Sequence, residues 1–286
     1  MKLGYEMSGN NYDERIIFPS LSYEFFQTGV LIHDDIIDKS PTRRNMPTMH
    51  VEFGNNHTAM SKSICVGDLG ILVSLEMLAL SDFRDDLIRK AIEHQSKVFE
   101  LTISGELKDI ELSENDSYSY EDIIEMYELK TSWYTIAGPL QLGAILGGAN
   151  QELLNQIEDA GMAMGIAFQI KDDILGIYGN EDTIGKSNLS DMQEGKKTVL
   201  TKHFMENAKE TEKKEFSSIY GNEKSGTKEL LKLQELFTST NSYSYANELC
   251  NKYTSKAKEI ICSLNIDIHY QKILLDFLNY LEGRKY

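Results

Sequence analysis

Residues 31–50 read Leu-Ile-His-Asp-Asp-Ile-Ile-Asp-Lys-Ser-Pro-Thr-Arg-Arg-Asn-Met-Pro-Thr-Met-His. An apolar run, Ile16 to Ile32, leads into three carboxylates, Asp34, Asp35 and Asp38. After Pro19 the run has few breakers and reads as helix. Residues four apart share a helix face, so Asp34 and Asp38 point the same way with Asp35 to the side. Like charges at that spacing destabilise a helix, and a hard cation with oxygen ligands removes the penalty. Arg43 and Arg44 follow, and a guanidinium suits bidentate phosphate contact. For one such cluster, the plain alternative is a solvated helix end.

A second cluster changes that balance. Phe168-Gln-Ile-Lys-Asp-Asp-Ile-Leu-Gly176 again places an aspartate pair, Asp172 and Asp173, at the end of an apolar helical stretch. Cations follow here too, in Gly185-Lys186 and in Ser190-Asp-Met-Gln-Glu-Gly-Lys-Lys-Thr198. The repeated order of carboxylates, then cations, predicts a polyphosphate held between Mg²⁺ ions and basic side chains.

These segments resemble the trans-isoprenyl diphosphate synthases, or polyprenyl synthetases. The first motif of that family, Asp-Asp-x-x-Asp followed by Arg-Arg, is matched by Asp34, Asp35, Asp38, Arg43 and Arg44. Pro47, Thr48 and His50 fit its sequel, with Asn45 where Gly is common. Asp172 and Asp173 match the second motif, whose fifth position is Gly176 instead of Asp. Lys186 and Lys196 fit the basic positions beyond it, and Lys130-Thr131 fits the pair between the motifs. Gly67-Asp68, Gly105-Glu106 and Asp109 are lesser matches. The resemblance covers about residues 20–200. It implies an isoprenoid-synthase fold, an all-α helical bundle with a deep central cavity, usually dimeric.

The rest of the chain agrees with one helical domain over residues 1–286. Only 4 prolines occur, and 41% of residues are hydrophobic, enough for a substantial core. Helical spacing predicts helices over 58–80, 85–112, 120–148, 151–178, 194–208, 210–220, 227–237, 244–264 and 270–281. Gly67 and Gly70 would let two helices approach closely. No strand-like alternation of useful length, repeat or flexible linker is present. The net charge of −16 argues against nucleic acid and against an anionic membrane surface. No run is long and apolar enough for an integral membrane segment. Cys65, Cys250 and Cys262 have no metal-ligand spacing and read as free thiols of a cytoplasmic protein.

The resemblance also implies the chemistry. An allylic diphosphate ionises, the double bond of isopentenyl diphosphate attacks the cation, and a proton is lost. Asp34 and Asp38 would ligate two Mg²⁺ ions and Asp172 a third, with Asp35 and Asp173 supporting them. Arg43, Lys130, Lys186 and Lys196 would contact the allylic diphosphate, and Arg44 would contact isopentenyl diphosphate. Thr131 and Gln169 could present dipoles to the carbocation. Lys197, His33 and His50 are expected to be structural or solvated. The product tail should run back along the first-motif helix, at about 5.4 Å per turn. Gly29 offers no block there, and Phe26 and Phe25 close the path, which suggests geranylgeranyl diphosphate of about twenty carbons, with about fifteen as the alternative. The family's Gly-Gly-Lys-Arg-x-Arg-Pro segment has no counterpart in residues 1–30, where Arg15 is the only arginine. The chain is therefore expected to lack the family's N-terminal helices, to hold the second substrate differently, or to have lost that half-site. A non-catalytic subunit of a hetero-oligomeric synthase and a class I terpene cyclase are the alternatives.

Overall fold

Asp13 starts the element that carries the first motif. Its carboxylate accepts the Arg15 N–H at 2.9 Å and caps a 3₁₀ turn, Glu14–Ile16, that runs directly into helix α2, Ile17–Ile37. Pro19 falls in the first turn of α2, where its missing N–H breaks no helical bond. The computed structural model describes residues 1–115, 117–179 and 189–283. Lys186 lies outside them.

A short helix that the hydrophobic pattern did not signal, α1 (Lys2–Met7), precedes α2. After α2, β1 (Thr42–Arg43) pairs antiparallel with β2 (Met46–Pro47) in a minimal hairpin. Its turn residues, Arg44 and Asn45, have φ of +53° and +61°. That is the mirror-image turn hairpins favour, and Asn tolerates it well. Then come α3 (Met49–Glu52), α4 (His57–Ala79), α5 (Asp85–Glu114) and α6 (Tyr120–Tyr127). A π-helical segment, Glu128–Ala137, joins α6 to α7 (Gly138–Leu146) without a break. The series ends with α8 (Gln151–Tyr178), α9 (Ser190–Glu194), α10 (Val199–Asn207), α11 (Glu210–Ile219), α12 (Thr227–Ser239), α13 (Ser242–Ser263) and α14 (Ile268–Glu282).

Local chemistry sets these boundaries. Asn56 caps α4, Asn150 caps α8, and Ser119 with Asp122 forms a capping box on α6. The continuous helix expected over 194–208 is interrupted, because Gly195 takes φ +75° and Thr198 opens a new capped helix.

Helix α8 is the spine, with buried residues from Ile157 to Ile177 on all its sides. Its first half packs on Ile136, Ala257, Ile261 and Leu274. Its second half packs on Tyr127, Val199, Phe204, Leu233 and Phe237. The contact of α2 with α4 is closer still: a Cβ on Gly29 would lie 2.7 Å from the Gly67 carbonyl oxygen. This overturns part of the chain-length reading. Gly29 faces α4, so it opens no path for a product tail. Phe25 is 39% exposed and turns outward as well. Phe26 is fully buried and stacks on Phe99 with centroids 3.6 Å apart.

Candidate active site

Three cations gather the carboxylates of three separate segments. Arg43 reaches back from β1, donating Nε to Asp35 Oδ1 and a terminal nitrogen to Asp34 Oδ2, each at 2.7 Å. Lys130, from the π segment, sits 2.6 Å from Asp109, 2.9 Å from Glu106 and 3.4 Å from Asp34. Lys196 sits 3.0 Å from Asp38, 3.0 Å from Glu194 and 3.7 Å from Asp191. Burial works against the charge on Lys130, but Asp109, Asp34 and Glu106 outweigh it and hold the amine protonated. The same competition, won by Asp191, Asp38 and Glu194, raises the pKa of Lys196. Burial raises Asp35, and the Arg43 charge opposes that shift. Burial also raises Glu106, against the pull of Lys130.

The π segment is what brings Lys130 this deep. A Cβ on Gly105 would overlap the Lys130 backbone, and one on Gly165 would overlap Ser132. Both neighbouring helices, α5 and α8, therefore press directly on the segment's main chain. Wide π turns recur at functional sites because they re-aim side chains.

On α8 the two adjacent aspartates part company. Asp172 is exposed, whereas Asp173 is buried. Asp173 accepts a short hydrogen bond from the Tyr127 hydroxyl and a 2.9 Å bond from Gln169 Nε2. Burial pushes its carboxyl up to about 8, against the pull of those two donors. Thr131 Oγ1 donates to Gln169 Oε1 at 2.7 Å. The structure thus brings Asp34, Asp35, Arg43 and Lys130 into one set of ion pairs and Asp38 and Lys196 into a second, with Asp34 and Asp38 oxygens within 4.8 Å of each other. Thr131, Gln169 and Asp173 form a hydrogen-bond network beside them. Arg44 is exposed on the hairpin turn. His33 lies against α4, its Nε2 3.0 Å from the Ile64 carbonyl, and His50 is buried against Thr48.

Some participants were not read from the sequence. Tyr127 reads as one more apolar position at helical spacing. Asp191 and Glu194 fall in a stretch noticed for its lysines, although their i,i+3 spacing places both on one helix face. Gly176, the departure in the second motif, now has a physical setting. A Cβ there would overlap the Asp191 carboxylate, so that carboxylate lies directly on the bare α8 backbone.

The donor set fits a divalent cation. Asp34, Asp38 and Glu106 each offer an oxygen, all within 4.8 Å of one another. Among the described residues, seven carboxylates (Asp34, Asp35, Asp38, Glu106, Asp109, Asp191, Glu194) lie beside the three cations above. A set of hard oxygen ligands, with no thiolate or imidazole among them, is what Mg²⁺ prefers.

The family model for polyprenyl synthetases matches residues 3–237, and the chain belongs to that family. Geranylgeranyl diphosphate synthase of Sulfolobus acidocaldarius is 33% identical over 254 residues, covering 88% of this chain and 74% of the relative. Geranylfarnesyl diphosphate synthase of Aeropyrum pernix is 28% identical over 282 residues, covering 97% of this chain and 86% of the relative. Among solved structures, geranylgeranyl pyrophosphate synthase from Corynebacterium glutamicum, complexed with isoprenyl diphosphate and magnesium, superposes with a TM-score of 0.93. It is 27% identical, and the match covers 99% of this chain and 84% of that one. These similarities favour neither a terpene cyclase nor a non-catalytic subunit.

Proposed function

We propose that the protein is a Mg²⁺-dependent prenyltransferase. It condenses isopentenyl diphosphate with an allylic diphosphate and releases a linear all-trans diphosphate of about twenty carbons. One observation carries the reading: Arg43, Lys130 and Lys196, from three different segments, converge on the first-motif carboxylates. Such a site exchanges internal ion pairs for a metal-bound diphosphate.

The chain's own residues have definable tasks. When the allylic carbon–oxygen bond breaks, its electron pair leaves with the diphosphate. Arg43, Lys130 and Lys196 offset the charge that develops there. Thr131 and Gln169 offer acceptor oxygens to the allylic cation. The π electrons of isopentenyl diphosphate form the new carbon–carbon bond, and a proton departs to the released diphosphate. Asp34 and Asp38 would hold two Mg²⁺ ions and Asp172 a third. When bound, these ions neutralise leaving-group charge as Lewis acids. Arg44 and Lys186 complete the proposed substrate contacts.

Phe26 stands 8 residues before Asp34 in the sequence, about 12 Å along the helix. With Phe99 stacked on it and Tyr23 and Tyr134 edge-on, it would form the floor of the product path. Phe26→Ala should lengthen the main product, and an unchanged spectrum removes Phe26 from that role. Among the described residues, no helix is long and apolar enough to cross a membrane. The three cysteines are free thiols, as suits a reducing compartment, and we place the protein in the cytoplasm. Exposed apolar residues on α4 and α5 fit a homodimer.

Product analysis tests the reading. The protein is incubated with Mg²⁺, isopentenyl diphosphate and, in turn, dimethylallyl, geranyl and farnesyl diphosphates. A longer linear diphosphate is the expected result. Binding of the allylic diphosphate without elongation in all three reactions overturns it.

A further inference from the structure

We propose that Tyr127 is a positioning residue. Acting through Asp173 and Gln169, it fixes the hydroxyl direction of Thr131 so that Thr131 offers the reacting carbon only acceptor lone pairs. The inference rests on the proposed ionisation of an allylic diphosphate.

The hydrogen bonds leave one consistent direction. The Val199 backbone N–H, at the start of α10, lies 3.3 Å from the Tyr127 hydroxyl oxygen. A backbone amide can only donate, so that oxygen accepts. The single Tyr127 hydrogen then goes to Asp173 Oδ2. Asp173 receives a second donor, Gln169 Nε2, on its other oxygen. With its NH₂ turned to a carboxylate, Gln169 must turn its carbonyl the other way, where it accepts the Thr131 hydroxyl at 2.7 Å. Thr131 thereby spends its only hydrogen. Any other group that approaches its oxygen meets lone pairs.

Polarity is what matters for this reaction. A threonine free to rotate could aim its hydrogen at a developing cation and repel it. A fixed chain ending in a buried carboxylate cannot reorient in that way, and bonds in such a chain polarise one another. Tyr127 is 1% exposed and is the last residue of α6, immediately before the π segment that carries Thr131. It is therefore anchored at both ends of its own side chain. None of the direct roles assigned above uses it.

The test compares two diphosphate-bearing analogues that differ only at the reacting carbon. One carries a tertiary ammonium there and the other a neutral carbon. Binding and kinetics are measured at one fixed pH for the wild type and every variant. The wild type should prefer the ammonium compound. In Tyr127→Phe that preference and kcat should each fall by about 10- to 100-fold, the range for losing a hydrogen bond to a charged group. KM and affinity for the neutral analogue should hold. In a Thr131→Val background, Tyr127→Phe should add nothing, because the two residues act as one unit. An equal loss for both analogues, or no loss, overturns the proposal while wild-type elongation stands. Absence of elongation in the wild type overturns the prenyl-transfer reading itself, and this inference with it. Should Tyr127→Phe not fold, Asp173→Asn decides. It keeps the shape but presents an NH₂ to Gln169, which must turn over. The ammonium preference should then vanish, and its survival sinks the proposal.

Discussion

Lys130 occupies a place where a metal ion is expected to exert its charge. Its ammonium lies 2.9 Å from Glu106 and 3.4 Å from Asp34, two of the three groups that converge as a cation site. A lysine there competes with a divalent cation until a diphosphate draws it away. Lys130→Gln should therefore bind Mn²⁺ alone several-fold more tightly than the wild type. In the same variant, affinity for inorganic diphosphate with Mg²⁺ should fall by about tenfold or more, as befits a lost charge-assisted contact. Titration calorimetry reads both, and a weaker Mn²⁺ affinity would show that Lys130 is not the competitor. Gly176 makes a second case. An alanine Cβ would meet the end of the Asp191 side chain, which can rotate away. Gly176→Ala should thus change stability by no more than about 1 kcal/mol, helped by the better helix propensity of Ala. Moving the Asp191 carboxylate also disturbs its 3.7 Å pairing with Lys196, so Mg²⁺-dependent diphosphate binding should weaken. A melting curve beside a binding isotherm separates the two effects. Unaltered binding would mean the Asp191 position is incidental.

At the scale of the element, much was legible because periodicity and caps are local. The helices 58–80, 85–112 and 151–178 read from spacing lie within one to two residues of the observed α4, α5 and α8. The exact turn type was not legible. Residues 128–137 carry an ordinary helical pattern, and only the pressure of α5 and α8 on their backbone accompanies the wider π turn. The side a residue faces was equally hidden, which is why Gly29 and Phe25 read as lining a product path and do not. Facing depends on a partner distant in sequence: for Gly29 it is Gly67, on another helix. His94 shows how such packing enters stability. From α5 it donates Nε2–H to the carbonyl of Gly138 at 3.2 Å, tying α5 to α7. Burial lowers its pKa, so the folded protein takes up this proton less readily than the unfolded chain. In the unfolded chain it takes a proton below about pH 6.5. The unfolded state then binds more protons, so this contribution is present above that pH and is lost as the pH falls. His94→Gln retains a donor and cannot titrate. Urea unfolding between pH 7 and 5 should show a shallower acid loss in His94→Gln than in the wild type, and parallel curves would exclude His94 as a source.

The whole molecule carries a net charge of −16, yet its proposed substrates are polyanions. The ion pairs resolve the mismatch locally, by holding their cations among carboxylates until metal ions arrive. Total charge says nothing about how copies associate, and there the surface pattern matters more. Helix α4 packs against both α2 and α5, yet its Leu69 and Leu72 remain 59% and 63% exposed. They stand three residues apart and so share one face. On α5, Ile103 and Leu107 repeat the pattern four residues apart and are exposed too. Clustered large side chains on neighbouring helices are rare on the free surface of a monomer and mark an association surface. A second copy of the chain is the proposed occupant, because a twofold contact lets one such patch cover its own duplicate. Replacing Leu69 and Leu72 together with Glu would place four carboxylates in that contact, at little expense to a core that neither side chain enters. Light scattering should then find the wild type as a dimer and the double variant as a monomer with a far-ultraviolet spectrum unchanged. A wild type that is monomeric at every concentration, or a variant that still dimerises, would put the twofold contact elsewhere or nowhere.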